Sequence, residues 1–290
     1  MTGEGSPISA AELDWPVERG GAAVVLPDRV ETAWRPGSGE HDQFALASVT
    51  KLLTTMAALA AVDAGHLDLD QRVPLGRWAP AGDDTPTTPR HLLAHASGLP
   101  HQAGRRRQQG TRRVYSNLGF RLLAEAVEEA VGLTFAAWLD DALLRPLGLG
   151  DTRLGSRLGV AADPAAGAVS TMADLVRLAH CLLASGAPVV TAELFAEATS
   201  VQFPGIGGLL PGVGRFDPLD WGLGFELHDR KRPHWMGERR SEAAFGHFGA
   251  SGCFLWVDPE VPVAAVGLSD RPFDDQRWAM TTWPPWSDSI

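Results

Sequence analysis

Ser48 and Lys51 stand three residues apart in Ser48-Val49-Thr50-Lys51. On a helix that spacing puts both side chains on one face. A serine hydroxyl is a weak nucleophile and needs a base within reach. A lysine amine serves as that base only when its ammonium is disfavoured near neutral pH. Burial and the positive end of a helix both disfavour it, and the first turn of an apolar helix offers both. Taken alone, the pair reads more readily as a capping serine followed by a solvent-facing lysine, so spacing by itself is weak evidence for catalysis.

Tyr115-Ser116-Asn117 adds a phenol two residues before an amide. A phenol beside a cation such as Lys51 can relay a proton, and the Asn117 amide can hold a lysine or a substrate carbonyl. Tyr115 is the single tyrosine of a chain with eleven Phe and ten Trp, so the aromatic core has little need of its hydroxyl. His247-Phe248-Gly249 lies among Gly246, Gly249 and Gly252, where backbone can pass close to a ligand. The Ala250 amide could pair with that of Ser48 as an oxyanion hole. Taken separately, these segments also read as a buried tyrosine and as a strand with glycine bulges.

The elements that must position these residues are legible in outline. Gly21 to Leu26 and Glu31 to Trp34 read as strands about a Pro27-Asp28 turn. A buried, alanine-rich helix is predicted from Ser48 to about Gly65. Pro89 opens a short helix to Ala96 after a polar loop from Gly82. Asn117 to Val131, Phe135 to Leu144 and Thr171 to Ala184 read as further helices, the last with Thr171 as cap. Short strands follow at Trp221 to Leu227, Ala243 to Phe248, Cys253 to Val257 and Val261 to Leu268, the last two joined by Asp258-Pro259. A brief helical segment near Asp275 to Thr282 ends the pattern. The simplest packing puts both chain ends, 1–71 and 166–290, in one discontinuous sheet domain, with 72–165 as a helical insert domain.

Composition limits the function classes. The 290 residues are 44% apolar and carry a net charge of −10, which argues against non-specific nucleic-acid binding. Cys181 and Cys253 form neither a disulfide framework nor a metal-ligand spacing. The first twenty residues lack a signal-peptide pattern, the first dozen read as frayed, and no apolar run reaches membrane-spanning length. The expectation is a soluble cytoplasmic protein without a membrane or nucleic-acid partner.

The three motifs together resemble those of the serine β-lactamase and penicillin-recognising hydrolase superfamily. The likeness is to the branch of class C β-lactamases, D-alanyl-D-alanine carboxypeptidases, D-aminopeptidases and related esterases. Tyr115-x-Asn117 matches that branch's second element. His247-x-Gly249 matches the form of the third found in esterase-like and peptidase-like relatives, where true class C β-lactamases carry Lys-Thr-Gly. Phe44 to Lys51, Ala64 to Asp70, Leu92 to Pro100, Pro146 to Leu149 and Ala166 to Thr171 resemble further family segments. The resemblance implies an α+β fold: an antiparallel sheet flanked by helices, an all-helical second domain, and a site in the cleft between them. It implies Ser48, Lys51 and Tyr115 as catalytic residues, with Asn117, His247, Gly249 and Ala250 holding substrate and oxyanion. No cofactor or metal is implied.

The missing lysine of the third motif, the short 72–165 region and a brief C-terminal helix argue against a specialised antibiotic-degrading enzyme. The expected activity is hydrolysis of a small ester. Next come a D-amino-acid peptidase or amidase and a β-lactamase, and, of another class, a non-catalytic penicillin-binding-like protein. Three other groupings compete for attention. His91, His95 and His101 cluster without the acid of a His-Glu-x-x-His metal motif. The Gly205 to Gly214 stretch lacks the ending of a phosphate cradle and reads as a flap or loop. Arg105, Arg106, Arg107, Arg112 and Arg113 form a basic run in an acidic chain, either a solvated loop or an attractor for a substrate carboxylate.

Overall fold

A computed structural model of the chain describes residues 13–75, 85–102, 104–155 and 158–290. Its elements run β1 Gly20–Val25, β2 Val30–Trp34, β3 Phe44–Ala45, α1 Thr50–Asp63, α2 Pro89–Leu93, α3 Asn117–Val131, α4 Phe135–Leu139, α5 Arg145–Leu147, β4 Arg153–Leu154, β5 Ala168–Ser170, α6 Met172–Leu183, α7 Ala192–Ala198, β6 Gly208–Leu210, β7 Gly214–Phe216, β8 Glu226–Leu227, β9 Phe245–Phe248, β10 Phe254–Asp258, β11 Val263–Ser269 and α8 Trp278–Asp288. The first dozen residues and residues 82–84 of the loop expected from Gly82 lie outside the described residues.

The main sheet is open and antiparallel, in the order β2-β1-β11-β10-β9-β8, so both ends of the chain share it. Its central strands are buried on both faces, which is why they read as continuous apolar runs rather than alternating ones. Alternation still sorts their side chains. Ala23, Val25, Leu255, Val257, Val266 and Leu268 join the core built on α1, α3 and α6. Ala22, Val24, Phe254, Trp256 and Ala265 face a second core with Trp15, Trp235 and Trp283.

α1 is apolar on nearly every face and is buried accordingly. Two of its buried threonines are tied to the segment that follows residue 162: Thr54 Oγ1 donates to the Pro164 carbonyl at 2.6 Å, and Thr50 Oγ1 accepts from the Ala168 amide at 2.9 Å. α3 starts where Ser116 Oγ accepts from the Gly119 amide at 2.9 Å. It ends at Gly132, whose φ of 72° closes the helix in the left-handed region.

Several expectations need correction. The helix expected to begin near Ser48 opens with a short 3₁₀ turn, Ala47–Val49, that runs directly into α1. α2 stops at Leu93 rather than Ala96, because the chain turns at His95 with φ 54°. The segment read as one helix from Phe135 passes through a π-helical stretch, Asp140–Leu144, before α5. Only Glu226–Leu227 of the strand expected from Trp221 is extended in the sheet. α8 runs to Asp288 despite Pro284 and Pro285, held by burial of Trp278 and Trp283 in the second core. α7 and the β6–β7 hairpin were not anticipated; glycine-rich sequence weakens the strand signal at the hairpin.

Candidate active site

The turn before α1 presents Ser48 at the mouth of a cavity of about 370 Å³, lined also by Tyr115, Asn117, His247 and Ala250. Ala47 enters the turn at φ 44°, a conformation uncommon for a residue with a side chain, so local strain sits one residue before the hydroxyl. Gly249, at the end of β9, packs against the same turn. A Cβ there would fall 2.2 Å from the Leu46 carbonyl oxygen and 3.1 Å from the Ser48 nitrogen. Only glycine lets β9 approach this closely, and that approach puts Ala250 on the cavity wall beside Ser48.

Lys51, one turn on, is fully buried. Its Nζ lies 3.3 Å from Ser48 Oγ, 2.7 Å from Asn117 Oδ1 and 2.8 Å from the Ala165 carbonyl oxygen. It is also 4.7 Å from the Tyr115 ring centre and 5.3 Å from that of Phe120. Burial lowers its pKa to about 7; Asp163 opposes that shift and Arg121 adds to it. Those two residues pair with each other at 2.7 Å. A neutral amine has two N–H groups and one lone pair. Asn117 Oδ1 and the Ala165 carbonyl can only accept, so they take both hydrogens, and the lone pair is left for the Ser48 proton.

The Tyr115 hydroxyl lies 3.5 Å from His247 Nε2. Burial pushes its pKa well above that of an ordinary phenol, with the neighbouring Ser48 side chain acting the other way. It therefore stays protonated at neutral pH and can give a proton rather than hold a negative charge. His247 Nδ1 lies 2.7 Å from the Phe248 carbonyl. A carbonyl only accepts, so Nδ1 carries the proton and the Nε2 lone pair faces Tyr115. Burial lowers the His247 pKa to about 3, which keeps the ring neutral.

Asn117 is the first residue of α3, and its amide nitrogen donates to the His101 carbonyl at 2.9 Å. Its Nδ2 lies 3.5 Å from His101 Nε2, and the His101 ring stacks on Tyr115 at 5.7 Å. His95 supports the same segment: its Nδ1 accepts from the Ser116 amide at 3.1 Å, and its ring lies 4.6 Å from that of Tyr115. His91 instead bonds Thr88 and Gln109, at 2.8 and 3.0 Å. Each of the three histidines thus has protein partners of its own. Among the described residues no set of three or more His, Cys, Asp or Glu is arranged to hold a metal.

All seven residues singled out in the sequence meet at this site. Others that shape it were missed. The Ala165 carbonyl is anonymous in sequence because every residue has one. In the sequence His101 stands out only as one of a histidine cluster. The hairpin turn Leu210 to Gly212 lines the cavity, so the glycine-rich stretch is a wall of the site. The arginines divide into two kinds. Arg113 is buried and donates to the carbonyls of Ala94, Leu219 and Gln202 at 2.6, 3.0 and 2.9 Å, fastening the hairpin region to the segment that carries Tyr115. Arg106 bonds Thr87, Gln109 and the Ser97 carbonyl. These two are structural, contrary to a role for the whole run in substrate attraction.

Comparison with known proteins agrees with the motif resemblance. The Beta-lactamase family model matches residues 16–283. The crystal structure of a β-lactamase from Mycobacterium bovis is similar along its length, with 45% identity, a TM-score of 0.83 and 95% of each chain covered. The D-alanyl-D-alanine-carboxypeptidase/endopeptidase AmpH of Escherichia coli K12 is 31% identical over 153 residues, which are 41% of this chain and 39% of AmpH. Esterase EstB of Burkholderia gladioli is 29% identical over 186 residues, 45% of this chain and 46% of EstB. The matched stretch is thus less than half the length of either of these two curated relatives. Among the described residues no helix is long and apolar enough to cross a membrane.

Proposed function

The chain belongs to the β-lactamase family, and from that premise we propose that it hydrolyses small esters through a covalent acyl-enzyme on Ser48. The observation that carries this reading is the Lys51 amine, 3.3 Å from Ser48 Oγ, with its hydrogens engaged elsewhere and its pKa near 7. Ser48 Oγ attacks the ester carbonyl while Lys51 takes its proton. The amides of Ser48 and Ala250 hold the oxyanion. Tyr115 gives a proton to the departing alkoxide, and the proton on Lys51 restores the pair. Water then attacks the acyl-serine, releasing the acid and regenerating the hydroxyl. Asn117 keeps the amine aimed, and His247 keeps the phenol aimed.

Esters are preferred to β-lactams because His247 is buried and neutral where class C β-lactamases place a lysine. A neutral imidazole offers the carboxylate of a lactam drug no charge. An alcohol also leaves more readily than an amine, so an ester asks less of Tyr115. Likeness to AmpH supports a second reading, cleavage of D-alanyl peptides.

A substrate panel separates them. The kcat/KM for p-nitrophenyl acetate or butyrate should exceed that for nitrocefin and for a D-alanyl-D-alanine peptide, and Ser48→Ala should abolish all three. A higher kcat/KM for nitrocefin or for the peptide than for every short ester would replace the ester reading by that activity.

A further inference from the structure

A second cavity, of about 450 Å³, adjoins the reaction cavity and shares His101, Tyr115 and Pro211 with it. Arg107 and Arg112 line it from the loop before Tyr115, and Arg215 lines it from β7. No carboxylate is among its lining residues. The chain as a whole carries a net charge of −10, so this concentration of guanidinium groups runs against the charge of the molecule. Arg113, also on the wall, spends its hydrogens on backbone carbonyls, whereas the side chains of Arg107, Arg112 and Arg215 are exposed at the groove.

Two elements distant in sequence are needed to assemble this charge. The backbone of Arg113 bridges Gly208 of β6 side by side, and its amide donates to the Gly207 carbonyl at 2.9 Å. That junction places the hairpin's Arg215 across from Arg107 and Arg112. Guanidinium groups offer planar, paired donors that match carboxylate geometry. A substrate bound at Ser48 reaches the groove by passing Tyr115 and His101.

We propose that this groove is a subsite for a carboxylate on the substrate, and that the enzyme's substrates are esters carrying an acidic extension. The proposal rests on the serine-hydrolase reading above and narrows its substrate class. Arg107, Arg112 and Arg215 determine specificity; they do not touch the reacting atoms.

Two matched pairs of esters test it. Mono-p-nitrophenyl glutarate against p-nitrophenyl pentanoate puts the carboxylate on the acyl side. The acetyl ester of 3-hydroxybenzoate against that of 3-hydroxybenzamide puts it on the leaving group. In at least one pair kcat/KM should favour the anionic ester about tenfold, within the range of electrostatic focusing in a charged cleft. The combined Arg107→Gln, Arg112→Gln and Arg215→Gln variant should bring that ratio to about one, and raised salt should shrink it in the wild type, since screening acts over about 10 Å at 0.1 M. Should the triple variant not fold, Arg215→Glu alone should lower the ratio.

No anionic preference in either pair, or a preference that survives the substitutions, overturns the subsite and leaves the hydrolase reading standing. Turnover that persists in Ser48→Ala, or no turnover of any ester, strikes the hydrolase reading instead. In that event calorimetry with glutarate decides the groove: binding lost in the triple variant supports it, and absent or unchanged binding overturns it.

Discussion

Lys51 is free to act as a base because it is buried: desolvation disfavours its ammonium, so near pH 7 a large share of the amine is unprotonated and can take a proton. The sign of the pH dependence follows. Below about 7 the amine is protonated and cannot accept from Ser48; above that value it is free. Tyr115, with its pKa raised, stays a proton donor throughout the neutral range. The kcat/KM for a neutral ester should therefore rise with pH, reach half its plateau near 7, and fall about tenfold per unit on the acid side. A limb near pH 4, or a rate that declines from pH 6 to 8, would contradict Lys51 as the base. The Ser48–Lys51 spacing was readable because helix geometry puts residues three apart together. The two acceptors that orient the amine were not equally readable. Asn117 stands in a motif, whereas the Ala165 carbonyl is brought in by a turn 114 residues away.

At the scale of elements, the site depends on three short pieces meeting: the turn before α1, the start of α3 and the end of β9. Glycine at position 249 sets the last of these. Gly249→Ala would place a methyl 2.2 Å from the Leu46 carbonyl oxygen, so β9 and the nucleophile turn must separate. We expect kcat/KM to fall by about a hundredfold, the scale of losing one oxyanion donor, while circular dichroism still reports a folded chain. Activity within about twofold of wild type would show that the close approach is not needed. Strands β1, β10 and β11 were legible in the sequence because burial on both faces leaves largely apolar runs. The β6–β7 hairpin was not, since its glycines carry little strand preference and its place depends on the Arg113 junction. The length of α8 was hidden by Pro284 and Pro285, which end most helices. Here tertiary burial of the tryptophans outweighs that tendency.

For the whole molecule, the two ends of the chain share the main sheet, while α3 and α4 pack on α1. We propose on this basis that 72–165 acts as the helical lobe of the cleft and that 1–71 with 166–290 forms the sheet lobe. A site so placed joins a base from the buried helix, a phenol from the helical side and a backbone wall from the sheet. Overall acidity says nothing about this chemistry; the local reversal of charge at the arginine groove bears on the substrate. All of this chemistry passes through Ser48 as the nucleophile. Treating the protein with a fluorophosphonate probe and mapping the adduct by tandem mass spectrometry tests that role. Stoichiometric modification at Ser48 is expected, absent in Ser48→Ala and slowed in Lys51→Ala. An adduct on any other serine, or labelling that persists unchanged in Ser48→Ala, would contradict it.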